Sequence, residues 1–285
     1  MTGRRSFLAA LALVLIEGIA YASPPVQLTF DGRVKRGAVF VPSGDEIVFA
    51  VRETSPSLVL KRLKIADGTV TRLHPQAGLP ETNATFAADG KTYAYLELTG
   101  NDAVVVHISD VKHTRNDVLK FSQPIPWDPC ITPDGKAVVV SLDGQIVRRD
   151  LGSNAEQALT KSAGSNNWPH VSPDGRAVVF CSSRHGDYEL YTIGVDGGAE
   201  RRLTESPGMD GHPSWSPDGR KIAFTSTRDG QYEIYVIDAD GSNPRRVTHH
   251  PERDDFAAWH SDGQKLLIVS ERDGRQDLYL VEVPQ

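Results

Sequence analysis

Apolar residues in this chain come in short runs, each four to eight residues long, that alternate with polar ones or are rich in Val, Ile, Tyr and Phe. That pattern has the period of a strand, not of a helix. The stretch from His212 to Thr248 shows it most clearly. Its apolar-rich runs are Ile222–Ser226, Tyr232–Asp238 and Arg245–Thr248, and a further strand ends at Trp215. Pro217-Asp218-Gly219, Arg228-Asp229-Gly230 and Asp240-Gly241 separate them. Pro presets one turn dihedral, Gly supplies a positive φ, and Asp bonds back to its own backbone. The unit therefore reads as a four-stranded antiparallel meander.

The unit recurs. Ser172-Pro173-Asp174-Gly175 and Ser261-Asp262-Gly263 open strong copies, and weaker ones start at Thr132-Pro133-Asp134-Gly135, Ala88-Asp89-Gly90 and Pro42-Ser43-Gly44. The turn glycines fall at 44, 90, 135, 175, 219 and 263, so the repeat is 40–46 residues long. Four strands at that period mark a β-propeller blade, and a blade must stack on neighbours to bury both faces. Six copies predict an all-β, six-bladed propeller. Val26-Gln27-Leu28-Thr29 looks like the outer-strand segments Arg201–Thr204 and Arg245–Thr248, while the last repeat stops after its third strand at Val283. The N-terminal strand is thus expected to complete the sixth blade, removing an exposed edge. The third blade is the shortest, its middle strands joined by a tight Asp143-Gly144 hairpin.

Residues 1–22 read as a cleaved secretory signal, leaving 23–285 as one propeller domain. Arg4-Arg5 precede the apolar run Phe7–Ile16, and Ala20-Tyr21-Ala22 is a small-residue cleavage site before Ser23. The run is about half the roughly 20 residues that span a bilayer, so no membrane span is expected in the mature chain. Arg-Arg-Ser-Phe-Leu suits both the twin-arginine and the general secretory route. The formal net charge of −6 becomes −7 without Arg4, Arg5 and Glu17, and no Lys/Arg run is present. Nucleic acid is therefore a poor partner. Cys130 and Cys181 are expected to be buried as small hydrophobes, not joined as a disulfide.

The spaced residues W-S-P-D-G, S-x-R-D-G, I/L-Y, D-G and R-L-T resemble the WD40-like PD40 repeat of TolB propellers. The likeness is complete in 167–204, 211–248 and 257–283 and reduced to turns and strand patterns before Cys130. TolB carries an α/β domain ahead of its propeller, and only about 25 residues precede the first repeat strand here. The resemblance implies an exported, periplasmic protein that binds other proteins of the envelope.

In a propeller, the loops leading into the inner strands converge at one mouth of the central channel. Aligning on Trp215 and its equivalents places Glu81, Asn83, Trp127, Asp128, Asn167, Trp168, Asp210, His212, Asp254, Asp255 and Phe256 there. Aromatic faces beside polar groups suit a binding mouth. Trp215 and Trp259 are expected to pack between blades. Asp238-Ala239-Asp240-Gly241-Ser242 reads as a turn, since its glycine falls too early for a calcium loop. His212, His249, His250 and Asp254 are candidate ligands for a divalent metal, although the expected reading needs no cofactor. The chain has no G-x-S-x-G, H-E-x-x-H, P-loop or G-x-G-x-x-G motif. The expectation is a non-catalytic, monomeric module that binds a protein or envelope polymer. The alternatives are a metal-dependent lyase, lactonase or hydrolase acting on a small or sugar substrate at the same mouth, and a purely structural propeller.

Overall fold

The computed structural model describes residues 23–53, 57–100, 103–123 and 125–284. The expected signal segment 1–22 lies outside the described residues. Six four-stranded antiparallel sheets make up the fold. Blade one comprises Lys35–Phe40, Glu46–Arg52, Leu58–Lys64 and Val70–Arg72, and blade two Glu81–Phe86, Thr92–Gly100, Ala103–Asp110 and Asn116–Leu119. Blade three is built from Pro126–Ile131, Ala137–Leu142, Gln145–Asp150 and Glu156–Ala158. Blade four follows with Asn166–Val171, Ala177–Ser182, Glu189–Gly194 and Arg201–Arg202. Blade five holds Asp210–Trp215, Lys221–Ser226, Glu233–Asp238 and Arg245–Arg246, and blade six Asp254–Trp259, Lys265–Arg272 and Arg275–Glu282, joined by Val26–Gln27. No helix among the described residues is long and apolar enough to cross a membrane.

Strand alternation sends neighbouring side chains to opposite faces, so each blade feeds two cores. In Lys221–Ser226, Ile222 and Phe224 pack towards blade four, while Ala223 packs towards blade six. Six apolar clusters result, each shared by two adjacent blades, and the last joins blade six to blade one. Trp215 and Trp259 sit in two of these seams, and the Trp259 indole N–H donates to the Ser214 carbonyl at 3.0 Å. Cys130 lies on an inner strand and Cys181 on a second strand, both buried and free. Burial pushes the Cys130 thiol up to about 11.

The turns use their own side chains. In Ser216-Pro217-Asp218-Gly219, the Ser216 hydroxyl donates to Asp218 and accepts the Lys221 N–H, while Asp218 accepts the Arg220 N–H. The same set recurs around Ser172 and Thr132. The segment from Asp238 to Ser242 is likewise closed on itself, with the Ser242 N–H on Asp240 and the Gly241 N–H on the Asp238 carbonyl.

Blade six closes as the chain pattern predicts, although the pairing strand is only Val26–Gln27, against Leu280 and Tyr279. The Leu28 N–H continues the ladder to the Leu278 carbonyl at 2.8 Å. Thr29 then does what Thr160, Thr204 and Thr248 do in blades three to five. Its hydroxyl oxygen accepts the Leu278 N–H at 3.0 Å, as Thr248 accepts that of Ile234 at 2.9 Å. It donates to Asp277, as Thr204 donates to Glu189.

Candidate functional site

All six inner strands carry one irregularity at one place. Their third residues, Gly37, Asn83, Asp128, Trp168, His212 and Phe256, have φ between 50° and 57°. Pairing with the second strand skips there in every blade: Trp127 faces Ser141, and the next pair is Cys130 with Val139. This is a β-bulge opened by a left-handed residue. The following residue is Ala or Pro in all six, and a bulge tolerates Pro's missing N–H. The bulged residues line one axial cavity of about 680 Å³. Below them, a second ring of Val39, Thr85, Cys130, His170, Ser214 and Ala258 continues the wall.

Gly37 adopts this conformation without strain. Asn and Asp tolerate it, but at Trp168 and Phe256 it costs about 1–2 kcal/mol each. Blade one shows that the propeller needs no side chain at this position, yet five blades hold one at the channel. Their chemistry divides the ring. Blades four to six present aromatic rings in contact, with His212 edge-on to Trp168 at 4.3 Å and tilted against Phe256 at 4.0 Å between ring centroids. Blades two and three present an amide and a carboxylate, with Asn83 donating to Asp128 at 3.2 Å. Burial raises the Asp128 pKa against the opposing pull of His212.

Asp255 is the best-held acid of the mouth. It accepts from His212 Nδ1 at 2.8 Å, Thr225 at 2.6 Å and the Phe256 N–H at 2.8 Å, and it pairs with Arg253. Burial alone would raise its pKa, but His212 and Arg253 outweigh that and hold it well below the usual carboxylate range. The Asp255 bond engages Nδ1 of His212 and so fixes the orientation of a ring that lines the cavity.

The other expected mouth residues are placed as follows. Trp127 stands at the rim, 43% exposed. Asn167 donates to the Tyr188 hydroxyl at 2.8 Å, off the cavity wall. Glu81, Asp210 and Asp254 are at the mouth end but buried and turned away from the channel. Glu81 holds His74, Asp210 holds Ser226 and Arg228, and Asp254 accepts from Ser270. The bulge explains this. Plain alternation puts the first and third strand residues on one side, whereas the bulge sends the third to the channel in every blade and the second in four of them, at Arg36, Thr82, Trp127 and Asp255. His249 is exposed, and His250 accepts the Glu252 N–H. Among the described residues, no three His, Cys, Asp or Glu side chains are grouped to hold a metal ion. Arg253, Tyr232 and Met209 also line the cavity, with Arg253 4.2 Å above the Tyr232 ring. Tyr232 comes from a connection between second and third strands, which an alignment on inner strands does not reach.

His170 in the second ring yields a pH prediction. Its Nδ1 accepts the Trp215 N–H at 3.2 Å, and burial pushes its pKa down to about 4. An unfolded histidine titrates near 6.5, so between pH about 6.5 and 4 the unfolded chain binds a proton that the folded chain refuses. Stability therefore falls as pH falls through that window, by about 3 kcal/mol from this group. Chemical denaturation of His170→Gln should show a flatter stability profile there than the parent. Parallel profiles would contradict the assignment.

Fold and cavity together define a six-bladed propeller with an asymmetric channel mouth. Residues 63–204 and 141–283 match the family described as TolB beta propeller domain, PD40, and the chain belongs to that family. The Tol-Pal system protein TolB of Bordetella pertussis is 42% identical over 53 residues, which are 19% of this chain and 12% of that protein. The chain matches less than a quarter of the length of the curated relatives it resembles. A structure attributed to TolB of Agrobacterium tumefaciens superposes with a TM-score of 0.68 at 21% identity, covering 89% of this chain and 91% of that one. An oligogalacturonate lyase in complex with manganese superposes with a TM-score of 0.62 at 15% identity, covering 91% and 93%. At these identities the structural likeness speaks for the fold alone.

Proposed function

We propose that this chain is a non-catalytic binding module of the cell envelope, monomeric, which captures a protein or envelope polymer at the channel mouth. The observation that carries the reading is the bulge ring. Five blades place a non-glycine residue in left-handed backbone around one open cavity, where the fold is satisfied with glycine. Strain of that kind gathers at functional sites. Family membership supports a Tol–Pal-like setting, and the Arg4-Arg5 segment with its cleavage pattern supports export to the periplasm. The test is capture of a partner from envelope extracts, by the mature chain and by Trp168→Ala and His212→Ala. Each variant should weaken capture by about 1 kcal/mol or more, as interface anchors do. Asp174→Ala and Asp218→Ala, at the turns of the other face, should capture normally. Loss of capture by the turn variants, with normal capture by the mouth variants, overturns the reading.

The pair of His212 and Asp255 favours a second reading, an enzyme acting on a small or sugar substrate at the same mouth. A carboxylate on Nδ1 leaves Nε2 available to accept a proton, as a general base requires. Turnover of an oligouronide or lactone by the purified protein, abolished by His212→Ala, would establish it in place of the first.

A further inference from the structure

We infer that the channel holds a small organic ammonium ion, bound between the Asp128 carboxylate and the aromatic rings of blades four to six. The inference goes beyond partner capture and does not rest on it. Asp128 lines the cavity and forms no ion pair among the described residues. The donors around it on the wall are neutral: the Asn83 amide at 3.2 Å, the Trp168 N–H and the Ser141 hydroxyl. Neutral donors compensate a desolvated carboxylate only in part, and burial disfavours its charge. A cation in the channel supplies what is missing.

The other charged groups that line the cavity are committed or lie apart. The Lys35 ammonium is held by Asp31 and Asp277. Arg36 and Glu271 have opposite signs and belong to blades one and six. His212 is the basic group that acts on Asp128, and its Nδ1 is engaged by Asp255 at 2.8 Å. Of the two carboxylates beside the bulge ring, Asp128 and Asp255, only Asp255 has a guanidinium, that of Arg253.

The facing wall suits a methylated or primary ammonium. The inner strands follow one another around the axis, so blade six stands opposite blade three, and Phe256 lies across the cavity from Asp128. Trp168 and His212 complete the arc between them, each ring in contact with the next. Aromatic rings attract a weakly hydrated cation through their quadrupole, and more strongly where water is excluded. The wall already uses this attraction once, with the Arg253 guanidinium 4.2 Å above the Tyr232 ring. A metal ion fits worse. It asks for several oxygen or nitrogen ligands, and no three His, Cys, Asp or Glu side chains are grouped for one among the described residues. The cavity of about 680 Å³ has the size of a small-molecule site.

Isothermal titration of the mature chain tests this at about pH 8, well above the usual carboxylate range. The probes are choline and its neutral isostere, in which a tert-butyl group replaces the trimethylammonium. Choline is expected to bind saturably and the isostere not to bind. Asp128→Asn should weaken choline binding by about tenfold or more, and Phe256→Leu by about threefold or more. Asn keeps the shape of the Asp128 side chain, and the comparison of choline with its isostere needs no variant at all. Absence of saturable choline binding, equal binding of the isostere, or a choline affinity unmoved by Asp128→Asn overturns the inference. Envelope capture is not read in this titration, so a negative result leaves the partner-binding reading standing, and failure of capture leaves the ammonium site standing.

Discussion

Replacing Lys35 by Met should lower the unfolding free energy by about 3–5 kcal/mol, the usual cost of removing one partner of a buried ion pair. The Lys35 ammonium is fully enclosed at the seam of blades six and one. It contacts Asp31, Asp277 at 3.0 Å, and the carbonyls of Arg33 and Gln276 at 3.1 and 3.0 Å. Met keeps the bulk of the stem and leaves the Asp277 carboxylate with only neutral donors, chiefly Thr29. Urea denaturation reads the effect as a lower midpoint at unchanged slope. Lys136→Met is the control, because Lys136 is 79% exposed and reaches Asp134 only at 3.9 Å. It should change stability by less than about 0.5 kcal/mol. A Lys35 variant as stable as the control would mean that the ring is not locked at this seam.

Removal of Val26–Phe30 should cost several kcal/mol, a large share of the roughly 5–15 kcal/mol of a typical domain. The segment supplies the outer strand of blade six, the Leu28 ladder bond and the Thr29 contacts to Leu278 and Asp277. Without it, Arg275–Glu282 becomes an open edge, a template for pairing with another chain. The truncated protein should melt well below the parent and show light scattering that rises with concentration. Unchanged thermal stability and a monodisperse truncated protein would defeat closure by the N-terminal strand.

Closure was legible because Thr29 stands in the same local pattern as Thr204 and Thr248. The blades were legible because Asp-Gly turns and strand alternation are local signals. The bulge ring was not. Gly37, Asn83, Asp128, Trp168, His212 and Phe256 share a backbone angle and no chemistry, so no residue type announces them. Position alone located them in the alignment, and position could not tell that the bulge turns Glu81, Asp210 and Asp254 away from the channel. Each of those acids answers a partner distant in sequence, such as Ser226 for Asp210 and Ser270 for Asp254. Lys35 opens the inner strand of blade one, as Glu81, Asp210 and Asp254 open theirs. Its burial depends on Asp277, which follows 242 residues later. Arg253 and Tyr232 meet across blades five and six, a contact that only the ring geometry creates.

The central claim is that the asymmetric mouth, not the opposite face, is where the partner sits. Photo-cross-linking tests it most directly, with benzoylphenylalanine placed at Trp127 in one sample and at Asp218 in another, irradiated in envelope extracts. The account predicts a discrete cross-linked product from position 127 and none from position 218. A product from position 218 alone would contradict it.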